Sequence, residues 1–407
     1  MATAVTIHRA PWVLPIRHPA IADGALAVQS GRILAVDNAK SILQHYPAAP
    51  LKDYPDSVIL PGLINAHTHL ELSHLHHLSQ QSAPPTFTAW IEQLLVERGK
   101  SRYREETILQ AARRALAAQQ KDGVVALCDI ANGGVIAGMK EHLPGPMFCF
   151  KEYLGLRASG LDAILQQIER EKASYCTAHA PYSTHADLLK ALKRRASQRN
   201  HLWPIHVAES AAEIEMIRQG RGEFPQFLQK RGLWDGSFQP TGIDNTGSVR
   251  YLHQVGVLDD KTLCVHCVHV AGQEIALLKE SGAHVCLCPG SNRYLGVGKA
   301  PVGSFLANNI LPALGTDSLA SNPCISLWRE MRILTEDHPA VDPALILSMA
   351  TLGSAHALGL EKDLGSLEPG KKAVFLAVRL TGVLTTWHNV VAELVCNGRG
   401  PVLQICS

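Results

Sequence analysis

Histidines and carboxylates in this chain recur at one kind of place, the end of a short apolar segment. The clearest case is Val58-Ile-Leu-Pro-Gly-Leu-Ile-Asn-Ala-His67-Thr-His69-Leu70. In an extended strand, residues i and i+2 point to the same side, so His67 and His69 present two imidazoles in one direction. Neutral imidazole is a common ligand of zinc and iron. Four further segments end in the same way: Ala178-His179-Ala-Pro-Tyr182, Pro204-Ile-His206-Val-Ala-Glu209, Val265-His266-Cys-Val-His269 and Leu314-Gly-Thr-Asp317. A lone core histidine is usually a satisfied hydrogen-bonder. Four strand ends that each carry one, with an aspartate at a fifth, point instead to a site.

The inventory suggests roles. His67, His69, His206 and Asp317 can bind one divalent cation per chain, zinc first and iron as the alternative, and leave a position open as catalytic zinc sites do. A cation there lowers the pKa of water to about 7, and Asp317 can take the proton released. Glu209 lies three residues past His206, near a helix start, and is free to act as an acid/base. Its other reading is a carboxylate stabilised by a helix dipole. His266 can bind the metal or hydrogen-bond the attacking water; His269, on the same stretch, is an equal candidate at this level. The ten cysteines are scattered, most of them inside apolar runs, which reads as buried thiols in a reducing compartment. Cys264 and Cys267 with Cys286 and Cys288 faintly resemble a four-thiolate zinc site, but the second pair is Cys-x-Cys, without the two-residue spacer and glycine of such a site.

Such strand ends need a scaffold that gathers them. Segments 58–66, 124–129, 147–153, 175–179, 203–208, 262–267, 283–288 and 311–316 are short and apolar. Helix-like stretches at 105–120, 160–172, 185–197, 210–220, 272–281 and 325–335 lie between them. Alternation of this kind predicts parallel strands joined by right-handed crossovers. Eight strands fit a distorted (β/α)8 barrel over 58–361, whose site lies at the C-terminal strand ends. An open doubly wound sheet is the alternative, disfavoured because no glycine-rich phosphate turn follows the first strand. Residues 1–57 read as short strands with a hairpin around 29–31 and a short helix at 41–45. The tail, 362–407, returns to strands at 373–378 and 390–396. Each end is too short to fold alone, so the two are expected to form one β-sandwich domain.

The bulk composition narrows the partners. The chain has 407 residues, is 46% hydrophobic and 18% charged, and carries a net charge of +2. This reads as a soluble globular protein rather than a disordered one, with no signature of nucleic-acid or membrane partners, so the expected partner of the strand-end residues is a small-molecule substrate. The N-terminus lacks a basic start followed by an apolar core, so a cytoplasmic location is expected. The oligomeric state is open, a homodimer being one option.

Together, Leu60-Pro-Gly-Leu-Ile-Asn-Ala-His-Thr-His69, His206-Val-Ala-Glu209, His266-Cys-Val-His269, Cys288-Pro-Gly-Ser-Asn292 and Leu314-Gly-Thr-Asp-Ser318 resemble the amidohydrolase superfamily, in its cytosine deaminase/chlorohydrolase-like branch. The resemblance covers nearly the whole chain. It implies a mononuclear zinc or iron site at His67, His69, His206 and Asp317, with Glu209 as proton shuttle. It also implies that His266, rather than His269, is the catalytic histidine. No lysine ends the fourth strand, where two-metal members carry a carboxylated one. The tail departs from the branch at Gly370-Lys-Lys-Ala-Val374. Thr177-Ala-His179-Ala-Pro-Tyr182 and Cys288-Pro-Gly-Ser-Asn-Arg-Tyr-Leu-Gly-Val-Gly298 look like those of deaminases of 5′-modified adenosines. His67-Thr-His-Leu-Glu-Leu72 is most similar to aminofutalosine deaminases. The implied substrate contacts are His179, Asn292 and Arg293. Other expectations remain: hydrolysis of guanine, cytosine, a chlorotriazine or a cyclic amide by the same metal site, or a scaffold without activity.

Overall fold

A computed structural model of the chain describes residues 4–100, 104–133, 136, 139, 143–171, 175–241, 247–380 and 386–397, and the backbone of 402–406. The first strands are β1 (Thr6–Val13), β2 (Ile21–Gln29), β3 (Arg32–Asn38), β4 (Leu51–Asp53) and β5 (Ser57–Pro61). The hairpin turns at Ser30-Gly31, both in the left-handed region, and β2 and β3 pair antiparallel across it. The short helix is Ala39–His45, capped by the Asn38 side chain.

Eight parallel strands follow: β6 (Leu63–Thr68), β7 (Val124–Ala131), β8 (Met147–Tyr153), β9 (Tyr175–Ala178), β10 (Trp203–Val207), β11 (Thr262–His266), β12 (His284–Leu287) and β13 (Ala313–Leu314). They form two four-stranded half-sheets, β6-β7-β8-β9 and β10-β11-β12-β13. Hydrogen bonds close both seams of the barrel. The His206 N–H donates to the His179 carbonyl at 3.0 Å, and the Thr316 and Asp317 N–H groups donate to the His67 carbonyl at 2.9 and 3.1 Å. Helices lie between the strands, so both faces of each strand are covered. That is why β6, β7, β10 and β11 are buried along their whole length and read as continuous apolar runs. The expected helix at 160–172 is Leu161–Arg170; its last expected residue, Lys172, lies outside the described residues, as do the chain-end residues 1–3, 381–385, 398–401 and 407.

The structure departs from the sequence reading in two places. The run at 58–66 is two strands. β5 joins the sheet of the chain ends, pairing with β1 and with β14 (Val374–Arg379), while β6 starts the barrel. Gly62 is the joint: a Cβ there meets the Val125 Cγ1 at 2.3 Å, so only glycine lets the chain cross so near β7. The second departure is at 390–396, read as a strand from its valines. Trp387–Asn397 is a helix, and its buried residues are Val390, Val391, Leu394 and Val395. Their spacing is helical, and they pack on the helices Leu327–Asp337 and Pro343–Ser348. The last strand is instead β15 (Val402–Cys406), antiparallel to β14. The two chain ends thus share one seven-stranded sheet, in the order β15-β14-β5-β1-β2-β3 with β4 beside β1.

Substitution Gly62→Ala is expected to destabilise the protein by about 1–3 kcal/mol through overpacking. Val125→Ala in the same chain removes the γ-methyls it meets and should recover part of the loss. Urea unfolding midpoints of the single and double variants test this.

Candidate active site

The strand ends converge as the spacing requires. His67 ends on β6, and His69 follows it. His206 is on β10, His266 ends β11, and Asp317 follows β13. The ring nitrogens of His67, His69 and His206 come within 4.8 Å of one another, and the side chains of Glu209, His266 and Asp317 form a second group at the same spacing. The Nε2 atoms of His69 and His206 are 3.2 Å apart. Asp317 Oδ1 lies 3.5 Å from His69 Nε2 and 3.7 Å from His67 Nε2. Two nitrogens each about 2.0–2.1 Å from one tetrahedral zinc stand about 3.3–3.4 Å apart. The donors therefore have the spacing of a shared cation, and the buried His67 nitrogens have no protein hydrogen-bond partner.

Electrostatics favour the same use. Burial pushes His69 down to about 3 and His266 down to about 4, and holds His206 well below its ordinary range. These imidazoles are neutral, the form that binds metals. Burial also works against ionisation of Asp317, but His67, His69 and His266 overrule it and hold the carboxyl well below the usual range. Ser291 and Ser321 donate to Asp317 Oδ2 at 2.6 and 2.7 Å, which supports the charged form. Glu209 is pushed the other way. Burial first, then Asp317 and Glu213, raise it well above the ordinary value, so it holds a proton more tightly than a free glutamate. Its Oε1 is 3.5 Å from His266 Nε2.

Local backbone and buried carboxylates hold these groups in place. Ala208, His266, Cys267 and Asp317 all have positive φ, between 47° and 73°, a region that costs non-glycine residues about 1–3 kcal/mol each. Backbone bonds across the strand ends hold them there, including Cys267 N–H to the Val207 carbonyl at 3.0 Å. Glu213 accepts the N–H groups of Ala208 and Glu209 at 2.8 and 2.9 Å, while Ser210 caps the helix Ala211–Gln219. Asp129, at the end of β7, accepts the Leu70 N–H at 2.7 Å and so fixes the chain just after His69. Glu330 accepts the Gly290 N–H at 2.6 Å. A Cβ on Gly290 meets Glu330 Oε1 at 2.4 Å, and one on Gly315 meets the His67 Cβ at 2.8 Å.

A cavity of about 530 Å³ opens above the cluster, within the usual range for small-molecule sites. His69, His206, Glu209, His266, Asp317 and His179 lie on its wall. Its outer part is apolar, with Phe87, Trp90, Ile91 and Leu94 from one helix and Phe224 and Phe227 from another. His179 bonds to Ser183 Oγ at 2.7 Å through Nδ1. His266 is in the cluster, whereas His269 Nε2 donates to the Val297 carbonyl at 2.7 Å.

Two expected substrate contacts are placed elsewhere. Arg293 pairs with Glu336 and Asp337 at 2.6 and 2.9 Å and is absent from the residues lining the cavity. A rim arginine next to two helix-borne acids satisfies its guanidinium there. Asn292 lies behind His266, accepting from its Nδ1 at 2.9 Å, so it acts on the imidazole. That bond leaves His266 Nε2 as an acceptor toward Glu209. Sequence reasoning also missed residues that matter. Glu213 had a signal in Ser210-Ala-Ala-Glu213, a capping-box pattern, and Ser291 lies within Cys288-Pro-Gly-Ser-Asn292. Glu152, on the cavity wall, was marked only by its place near the end of β8. The described cysteines are free thiols, and Cys288 is grouped with His67 and His266.

Residues 58–399 match the Amidohydrolase family, and the chain belongs to that family, as a hydrolase. It is 29% identical over 407 residues to the 5-methylthioadenosine/S-adenosylhomocysteine deaminase of Moorella thermoacetica, covering 95% of this chain and 89% of that protein. Its fold matches Helicobacter pylori aminofutalosine deaminase, solved in complex with methylthio-coformycin, with a TM-score of 0.82 at 23% identity and 96% coverage of both chains. It matches an adenosine deaminase from Xanthomonas campestris, solved with bound zinc, with a TM-score of 0.76 at 23% identity, over 96% and 89% of the two chains. Among the described residues, no helix is long and apolar enough to cross a membrane.

Gly315→Ala should displace His67 and lower metal content and activity together. Gly303→Ala, with open space around its Cβ, should change neither. Elemental analysis beside an activity assay reads both outcomes.

Proposed function

We propose that this amidohydrolase is a metal-dependent deaminase of a 5′-modified adenosine, releasing ammonia and the inosine analogue. Aminofutalosine, S-adenosylhomocysteine and 5′-methylthioadenosine are the candidate substrates. One observation carries the reading: Glu209, a carboxyl whose pKa burial raises, lies on the cavity wall 3.5 Å from His266 and outside the group formed by His67, His69 and His206. An acid placed there can protonate a purine ring as water adds to it, a step that deamination requires. The names of the relatives support the purine nucleoside, and the apolar outer cavity suits a bulky 5′ group.

In this reading His67, His69, His206 and Asp317 hold one divalent metal, zinc in preference to iron. When bound, the metal supplies the Lewis acidity that makes water nucleophilic at neutral pH. As water adds to C6 of the adenine ring, Asp317 takes one of its protons and Glu209 protonates the adjacent ring nitrogen. His266, its Nδ1 committed to Asn292, offers Nε2 to orient the attacking water. C6 becomes tetrahedral; the proton held by Asp317 then passes to the amine, which departs as ammonia while the C6 hydroxyl returns a proton to Glu209 and becomes the carbonyl of the inosine analogue. His179 contacts the bound nucleoside from the strand β9 side.

Protein purified without chelator should hold close to one zinc or iron per chain; two tightly held metals would overturn the mononuclear site. Glu209→Gln should keep that metal and still bind product, while kcat falls by at least about 10²–10⁴. Loss of metal in this variant would sink its assignment as a proton carrier. In an ammonia-release screen, 5′-modified adenosines, aminofutalosine first, should exceed guanine and cytosine in kcat/KM by at least roughly 10³, since a site built to hydrogen-bond its substrate rejects analogues that leave those groups unpaired. Fastest turnover of cytosine, guanine, a chlorotriazine or a cyclic amide would replace the substrate and leave the family unchanged.

A further inference from the structure

Among the described residues, the cavity wall carries one arginine, Arg98, and no lysine. The reaction above gives Arg98 no task. The helix Phe87–Arg98 turns one stripe toward the cavity, Phe87, Trp90, Ile91, Leu94, Leu95 and Arg98, at the three- and four-residue spacing of a single helical face. Phe87 and Leu94 are buried, whereas Leu95 is 38% exposed. Leu154 and Leu233, also on the wall, are 47% and 45% exposed. Large apolar side chains left open at the mouth of a cavity mark a surface that a ligand covers. Arg98 lies one turn beyond Leu95 on the same face, and its side chain is 30% exposed, so it stands at that mouth.

The guanidinium keeps donors for a ligand. Nη1 donates to Asn132 Oδ1 at 2.9 Å. The carboxylate beside it, Glu71, has its Oε1 3.8 Å from Nη2, beyond hydrogen-bond reach. Glu71 is committed to the backbone, since its Oε2 accepts the N–H groups of Asn132 and Gly133 at 2.8 and 2.9 Å. A guanidinium has five donor hydrogens in a planar fork that matches a carboxylate. Among the described residues, one hydrogen bond engages this one. The others remain for a group that arrives with the ligand.

The carboxyls on the wall are Glu152, Glu209 and Asp317. All three are buried, each within 3.6 Å of an imidazole nitrogen of the cluster. The mouth therefore offers apolar surface and a cation, but no exposed carboxylate to meet an ammonium. We infer that the 5′ substituent of the nucleoside is an apolar body ending in a carboxylate, without an ammonium, and that Arg98 binds this carboxylate at the cavity mouth. The inference rests on the nucleoside reading above. It sets apart S-adenosylhomocysteine, whose carboxylate comes with an ammonium, and 5′-methylthioadenosine, which has no carboxylate.

The test uses 5′-benzylthio-5′-deoxyadenosine and its 3-carboxybenzyl and 4-carboxybenzyl analogues on zinc-loaded wild type, Arg98→Gln and Arg98→Lys. Wild type should prefer at least one carboxylated analogue to the benzyl compound by about 10-fold or more in kcat/KM, chiefly through KM, as expected for a hydrogen bond between charged groups. In Arg98→Gln that preference should fall to near unity. It should survive in part in Arg98→Lys, which keeps the charge without the fork. In wild type it should also shrink severalfold in about 1 M salt, because the pair lies at the open mouth. No preference in wild type overturns the inference. So does an Arg98→Gln variant that slows all three compounds equally, which makes Arg98 a support for Asn132. Both outcomes leave the deaminase reading intact. A metal-loaded wild type that releases no ammonia from these compounds or from 5′-methylthioadenosine overturns the nucleoside reading, and this inference with it.

Discussion

The site depends on one short seam. The carbonyl of His67 accepts the N–H groups of Thr316 and Asp317, and this contact joins the first barrel strand to the last. It places two imidazoles from one end of the barrel against a carboxylate from the other, with the bridged pair Thr68 and Asp317 249 residues apart in the chain. Asn65, buried one turn of the pleat below, ties the seam to Thr316 and Gln119 by bonds of 2.8 and 2.7 Å. Gly315 keeps the strands close enough for the bonds to form. Without the seam the donor set would be two separate half-sites.

Around it, burial acts in opposite directions on neighbouring groups. The same apolar surroundings that keep His69, His206 and His266 neutral make Glu209 hold its proton. Asp317 escapes that trend because imidazoles and two serine hydroxyls face it. Two carboxyls near each other are thus shifted in opposite directions, Glu209 upward and Asp317 downward. The arrangement is costly to the fold, with several residues at positive φ and carboxyls buried among strands. Backbone hydrogen bonds from strand ends and helix starts offset that cost.

The cavity has two characters. Near the cluster it presents histidines and carboxyls; farther out it presents aromatic and aliphatic side chains from the helices Phe87–Arg98 and Glu223–Lys230. A ligand with a polar reacting ring and an apolar extension fits both parts. Arg98, Asn132 and Glu152 also lie on its wall, joined by hydrogen bonds through the Asn132 side chain.

Local order along the chain determined much of this. The eight barrel strands, the helices between them and the residues His67, His69, His179, His206, Glu209, His266 and Asp317 were readable, because each is a short-range pattern: an apolar run, then a polar residue at its end. Periodicity misled at 390–396, where valines suggested a strand and a helical stripe packed on two neighbouring helices decided otherwise. It also merged β5 with β6, because a glycine joint leaves no mark in an apolar run. Only tertiary structure turned Arg293 toward Glu336 and Asp337 and set Asn292 behind an imidazole. It alone brought Glu152 to the cavity. In each case the outcome depends on which distant group reaches a side chain first, and that distance exists only once the barrel has closed.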